Sequence, residues 1–314
     1  MERLADVAGF AGLLALGAGV AWALYALGAW RDATRPPRRT LGWALAQGLP
    51  ADPGDLGFAF EDASVRADGA AVPCWWITGR GGEGAPVVVM LHGHGRSRWD
   101  SLRRASPWLG RAALVALPDL RGHGDARGRG TLGRREPADV VRVVAEAEAR
   151  APGHPVIIVG HSLGAVVAIH AAALRARAGA PVAEVHAFGA YDRVCTPFAA
   201  RLRARGLPAR PVVGAVLALV DALDGAEAPT QDSAAELGPT RLVAWADALD
   251  PVSPAADARA IAARARHAEL HLTDGIPHAE LGVPAAHGAG ADVTSARPPS
   301  RVPPPSAPAP PSAA

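Results

Sequence analysis

Six apolar runs recur along the middle of the chain, each bounded by turn residues and separated by stretches with helical spacing. They are PVVVMLHG (86–93), ALVALPDLRG (113–122), HPVIIVGHS (154–162), VAEVHAFGA (182–190), TRLVAWA (240–246) and AELHLTDG (268–275). Most are continuous β-branched and aliphatic runs rather than alternations, the pattern of strands buried on both faces of a parallel sheet. Between them lie SRWDSLRRASPWLGRA, EPADVVRVVAEAEAR, LGAVVAIHAAALRARA and SPAADARAIAARARH, which read as helices. Ahead of them, FAFEDASVRADGAAVPCWWITG (58–79) holds two alternating runs around Asp68-Gly69, a hairpin signal. A hairpin followed by repeated β-α units predicts an α/β fold, a mostly parallel sheet with helices on both faces. In such sheets functional groups gather beyond the carboxyl ends of the strands.

Of the strand ends, the one at 160–164 is the most informative. There the strand runs directly into GHSLG, with Ser162 between Gly160 and Gly164. A tight strand-to-helix turn that exposes one hydroxyl needs small neighbours two residues to either side. A serine that only caps the following helix is the structural alternative. A hydroxyl is a poor nucleophile until a base removes its proton, so partners decide between the two. Asp250 opens DPVSP after one later strand, and His278 follows the next in GIPHAE, in the chain order serine, acid, histidine. His278 can then accept the serine proton while Asp250 fixes the imidazole tautomer. Asp247 and Asp192, also near strand ends, are the alternative acids. An oxyanion site needs two backbone N–H groups, expected from Leu163, just after the serine, and from His94 in the HGHG loop after the first apolar run.

These motifs, LHGHG, PDLRGHGDA, GTLGRREPADV, VGHSLG, DPVSP and PHAE, resemble the motif series of the α/β-hydrolase superfamily over roughly residues 56–285. RGHG and GTLGRREPADVVRVV are most similar to the membrane-anchored serine hydrolases of the BEM46 type and the prolyl-oligopeptidase-like branch. The resemblance implies an eight-stranded sheet, a Ser162–Asp250–His278 triad, His94 and Leu163 as oxyanion donors, and no cofactor. One departure stands out: the family closes with a long helix after the histidine, whereas here AELGVPAAH runs into a Pro-rich tail.

The ends organise the rest. From Val7 to Trp30 no charge interrupts the sequence, and that length suits an N-terminal transmembrane helix, with Trp22, Tyr25 and Trp30 placed for an interfacial belt. A cleaved signal peptide is the competing reading, but its leader should be positive, and MERLAD sets Glu2 and Asp6 around Arg3. Arg31, Arg35, Arg38 and Arg39 outweigh Asp32 after the span, which by the positive-inside rule puts the following domain in the cytoplasm. The expected organisation is therefore a membrane anchor (1–30), a Pro- and Arg-rich linker (31–55), a hydrolase domain (56–287) and a disordered Pro-rich tail (288–314). Residues 191–238 interrupt the β-α rhythm and read as a lid-like insertion; the amphipathic VVGAVLALVDAL within it could line an acyl pocket or pack on the sheet.

Composition removes other classes. Thirty-two basic residues against 30 acidic leave a net charge of +2, so no whole-chain field favours nucleic acid. Cys74 and Cys195 make neither a zinc spacing nor a disulfide framework. His92, His94, His123 and His161 lie near strand ends, yet without the carboxylates of a metal site, and GRGGEG (79–84) lacks the Lys-Ser/Thr ending of a phosphate loop. His170, His186, Trp75 and Trp76 read as packing residues. The expected partners are the membrane and a small-molecule ester or lipid substrate, with no metal. Peptidase, thioesterase or acyltransferase chemistry on the same triad, and an idle hydrolase-like scaffold, remain open.

Overall fold

The computed structural model of the chain describes residues 2–67 and 69–284. The expected tail (288–314) and Asp68 of the hairpin lie outside the described residues. A long helix, α1 (Glu2–Thr34), comes first, followed by α2 (Leu41–Ala46) and a short helical turn (Pro53–Leu56). Then come β1 (Phe60–Ala67), β2 (Ala70–Thr78), β3 (Val87–Leu91), α3 (Arg98–Leu109), β4 (Leu114–Pro118), α4 (Glu136–Arg150), β5 (Val156–His161), α5 (Leu163–Arg177) and β6 (Glu184–Phe188). After α6 (Cys195–Ala204), α7 (Val212–Asp224) and α8 (Thr230–Ala235) the alternation resumes with β7 (Arg241–Asp247), α9 (Ala255–Arg264) and β8 (Ala268–Thr273), and a helical turn (His278–Glu280) follows.

The strands form one eight-stranded sheet in the order β1-β2-β4-β3-β5-β6-β7-β8. β2 runs antiparallel to both β1 and β4, and every other pairing is parallel. All residues of β3, β5 and β6 are buried, which explains their unbroken apolar sequences: both faces are covered. On one face α4 and α5 pack through Val140, Val144, Val167 and Ile169. On the other, α3 brings Trp99, Leu102 and Trp108 against Trp75 and Met90. Because β4 lies outside β3 and β5 lies inside it, the chain changes direction across the sheet at β3, leaving a crevice at the carboxyl ends of β3 and β5.

The segment read as a linker is part of the body. Ala44 and Pro53 are buried, Trp43 and Leu49 pack against the α3-side core, and Trp99 donates its indole N–H to the Ala51 carbonyl at 2.8 Å. These few apolar residues are held by the α3 face rather than by their own helix propensity, which a six-residue segment cannot express alone. α1 likewise runs beyond Trp30 to Thr34. Its last turns bury Ala29 and Ala33 among Val212, Val213 and Val216 of α7, whereas Phe10, Leu13, Leu16, Val20, Leu24 and Leu27 are exposed. Among the described residues one helical stretch, Phe10–Thr34, is long and apolar enough to cross a membrane, with mean hydropathy 1.9.

The 191–238 insertion divides in two. α6 and α7 share a cluster with the end of α1 above the crevice, whereas α8 packs on α5 and α9 at the flank. In α7 the stripe Val212, Val213, Val216 and Val220 is buried, and Leu219 and Leu223 are exposed.

Candidate active site

β5 ends at His161 and α5 begins at Leu163, so Ser162 turns the chain by itself. Its backbone sits at φ 55°, ψ −118°, a conformation that costs a residue with a Cβ on the order of 1–3 kcal/mol. The Ser162 N–H donates to the Phe188 carbonyl at 2.8 Å and fixes the turn to β6. The glycines are there for close approach: a Cβ on Gly160 would stand 2.2 Å from the Gly164 carbonyl oxygen, and one on Gly164 would stand 2.5 Å from that of Leu91. Backbone on the far side cannot swing away, so Gly164→Ala is expected to destabilise the fold by about 1–3 kcal/mol and to displace the serine. Urea unfolding and fluorophosphonate labelling check this together; an unchanged midpoint with full labelling would contradict it.

Loops from three further strands converge here. Nε2 of His278 lies 2.9 Å from Oγ of Ser162, and Nδ1 lies 2.6 Å from Oδ2 of Asp250. These contacts assign the tautomer: Nδ1–H donates to the carboxylate and Nε2 is left to accept from the serine hydroxyl. Burial alone would raise the Asp250 pKa, but hydrogen bonds from His278, Ser253 and Val252 outweigh it and hold the carboxyl below its usual range. Asp250 is buried and fully enclosed at its side chain. Of the other acids, Asp247 accepts from Thr273 Oγ1 and the Ile276 N–H, bracing the β7 and β8 loops. Asp192 faces α8, accepting from Gln231 at its backbone and side-chain nitrogens.

The N–H groups of Leu163 and His94 donate to no carbonyl or side chain among the described residues. Both residues line the cavity with Ser162. The His94 imidazole is engaged elsewhere: Nε2 donates to the Ala33 carbonyl at the end of α1 (2.8 Å), and Nδ1 accepts from Arg201 of α6. Burial and the adjacent Arg201 hold its pKa well below the ordinary histidine value.

Three residues with roles here, Ser253, Arg104 and Gly189, were not singled out from sequence, and a fourth, His161, was weighed there only as a metal ligand. Ser253 donates to Asp250 Oδ2 at 2.5 Å and sits 3.2 Å from Nδ1 of His278. His161 Nε2 is 2.7 Å from the His278 carbonyl; its ring is buried, which lowers its pKa far enough to keep it neutral and donating. Arg104 of α3 donates to the Ala279 carbonyl and, at 3.1 Å, to that of Leu281, so this arginine and the buried Leu281 hold the chain after His278 where the resemblance led one to expect a long helix. Gly189, at φ 64°, leaves room for the imidazole: a Cβ there would meet His278 Cε1 at 3.1 Å. For Ser253 the DPVSP motif was a usable signal.

The other sequence candidates are structural. His92 accepts from the Leu120 N–H at 2.9 Å, and burial pushes its pKa down to about 3. His123 is buried beside it. His170 pairs with Ser233 and His186 with Glu184. Glu136 of GTLGRREP accepts from the Thr131 and Gly133 N–H groups, shaping the loop that places Leu132 in the cavity wall. Cys74 and Cys195 are free thiols.

The cavity over Ser162 encloses about 430 Å³, within the usual range for small-molecule sites. Its wall draws on Ala29 and Ala33 of α1, Leu132, Tyr191, and Phe198 and Leu202 of α6.

A doubly covered sheet with a strained serine at the end of its fifth strand defines an α/β-hydrolase fold. The sequence matches the alpha/beta hydrolase family over residues 88–306, and the chain belongs to that family. It is similar to lipase LipV of Mycobacterium tuberculosis, 33% identical over 175 residues, covering 55% of this chain and 56% of the lipase; the match thus spans about half of that relative. In structure it is similar to the Pyrococcus furiosus esterase Pf2001, at TM-score 0.61 and 20% identity, covering 79% of this chain and 90% of the esterase. A bacterial membrane phospholipase A superposes at TM-score 0.54 and 17% identity over 91% of this chain and 96% of its own.

Proposed function

We propose that this chain is a membrane-anchored serine hydrolase that cleaves carboxylic esters, lipid and acyl esters among them, through an acyl-enzyme. One observation carries the reading: a serine hydroxyl and an imidazole that line a cavity stand 2.9 Å apart, and the imidazole is joined at 2.6 Å to a carboxylate buried behind it. Ser162 Oγ attacks the ester carbonyl as its proton passes to Nε2 of His278. The charge that develops on the carbonyl oxygen is met by the N–H groups of His94 and Leu163, each worth about 3 kcal/mol in a preorganised site. The tetrahedral intermediate collapses as His278 returns the proton to the departing alcohol. Water then attacks the acyl-serine with His278 again as base, releasing the acid and restoring the serine. Asp250 stays ionised throughout and stabilises the imidazolium.

The lipid and membrane parts of the reading rest on α1 and the cavity wall. The exposed apolar length of α1 continues directly into residues that border the cavity, so an acyl chain in a bilayer and the nucleophile are adjacent. The relatives named lipase, esterase and phospholipase agree with ester substrates.

Fluorophosphonate labelling of the full chain in fractionated cells tests this. The labelled band is expected in the membrane pellet, released by detergent but not by high salt, and the purified protein is expected to hydrolyse p-nitrophenyl esters in preference to aminoacyl amides. Labelling confined to the soluble fraction removes the anchor; absence of labelling removes the hydrolase.

A further inference from the structure

The cavity beside Ser162 is more positive than its surroundings need. Arg39, Arg96, Arg201 and Arg205 stand in its wall with a single carboxylate, Asp32. Arg39 and Arg96 share Asp100 behind the wall, at 3.3 and 3.1 Å, and Arg205 pairs with Asp32 at 3.1 Å. Arg201 differs. Its Nη1 donates to Nδ1 of His94 at 2.5 Å, and among the described residues no carboxylate lies within ion-pair distance of it. The ionisable groups that face it are the Tyr191 hydroxyl and two more cations, Arg96 and Arg205, with the neutral His94. A guanidinium keeps its charge at physiological pH, and holding one among protein and other cations without a counter-ion is costly. A bound oxyanion offsets that cost, and the planar fork of arginine suits phosphate oxygens in particular.

We infer that Arg201, backed by Arg96, forms an anion subsite, and that the ester turned over best by this chain carries a phosphate group a few bonds from its scissile carbonyl. The position follows from His94, whose imidazole holds Arg201 and whose backbone N–H is the proposed oxyanion donor: the two subsites are one residue apart. A phosphate on Arg201 therefore sets a neighbouring ester carbonyl over Ser162. This inference rests on the reading of Ser162 as an ester-cleaving nucleophile, and it identifies what lies beside the ester.

Binding and turnover separate the two. The full chain with Ser162→Ala, in neutral detergent, is titrated by calorimetry with dihexanoyl phosphatidate, with dihexanoylglycerol and with inorganic phosphate. Phosphatidate is expected to bind about 10- to 100-fold more tightly than the neutral diester, the value of one charge-assisted hydrogen-bond set. Adding Arg201→Gln is expected to bring that ratio close to one, with Arg201→Lys intermediate. A ratio near one without the second substitution, or a ratio that survives Arg201→Gln, overturns the subsite, as does an equal loss of affinity for both lipids, which marks Arg201 as a brace for His94 only. Inorganic phosphate binding as tightly as phosphatidate overturns the substrate assignment, since the site then takes a free anion. Hydrolysis of the same lipids by the unmodified chain completes the pair: a binding preference without hydrolysis keeps the subsite and removes the hydrolase reading, and hydrolysis without preference does the reverse.

Discussion

Replacing Ser162 with alanine is expected to abolish ester hydrolysis, with kcat falling on the order of 10⁵- to 10⁶-fold, while unfolding stability is expected to stay within about 1 kcal/mol of the parent chain. The two halves of this expectation have different origins. Catalysis should be lost because, among the described residues, no other hydroxyl reaches Nε2 of His278. Ser253 lies near His278, but on the Nδ1 side, where Asp250 already takes the ring proton at 2.6 Å and the Ser253 hydroxyl donates to the same carboxylate oxygen. Its own proton thus has a fixed acceptor, and the free Nε2 points the other way. Stability is kept because alanine occupies the same strained backbone, and the one hydrogen bond removed faces the cavity, where water can replace the hydroxyl. The comparison of interest is Ser253→Ala, which leaves the nucleophile and loosens Asp250; its loss of rate should be smaller by orders of magnitude. Steady-state kinetics on a p-nitrophenyl ester with urea unfolding of each variant measure both halves. Hydrolysis within tenfold of the parent after Ser162→Ala would remove Ser162 from the reaction.

What the sequence discloses depends on whether the deciding interaction is local. The strands β3, β5 and β6 are legible because burial on both faces writes itself into consecutive residues. Gly160 and Gly164 are legible because each answers a clash with chain two to four residues away, or with the strand that any such turn must cross. The choice among Asp192, Asp247 and Asp250 is not. All three lie at or after strand ends, and what separates them is which side chain reaches His278 and which reaches Gln231 or Thr273. Arg104 and His161 act on backbone far along the chain, and Arg201 matters for the counter-ion it lacks among the described residues, so none leaves a pattern in its own neighbourhood. α2 is hidden for a related reason: Trp43 and Ala44 are fixed by tertiary burial inside a Pro- and Arg-rich stretch whose composition points to a linker. The end of α1 is misjudged by the same route, since residues 31–34 continue the helix by packing under α7.

Asp250→Asn is the second substitution with a large expected effect, and its sign follows from the donors around the carboxylate. Oδ1 accepts from the Val252 N–H at 2.8 Å, while Oδ2 accepts from Ser253 and from Nδ1 of His278. In the asparagine variant the amide oxygen takes the Oδ1 place, because an NH₂ group there would oppose the Val252 N–H. The NH₂ group then stands at the Oδ2 place and donates to Nδ1. His278 is driven into the other tautomer, with its proton on Nε2 facing Ser162, where it cannot accept the serine proton. The expected loss in kcat at pH 7 is on the order of 10⁴-fold. Stability carries an independent signature. Asp250 has its folded-state pKa below the ordinary range, so its ionised form stabilises the fold above the unfolded-state value of about 3.9. That contribution disappears as pH falls through the folded-state pKa, and asparagine never has it. The difference in urea midpoint between parent and variant should therefore be full at pH 7 and shrink toward zero as the buffer is taken well below pH 4. A loss of less than tenfold in kcat at pH 7, or a stability difference that persists unchanged in acid, would mean that the carboxylate of Asp250 neither orients His278 nor gains from its proton.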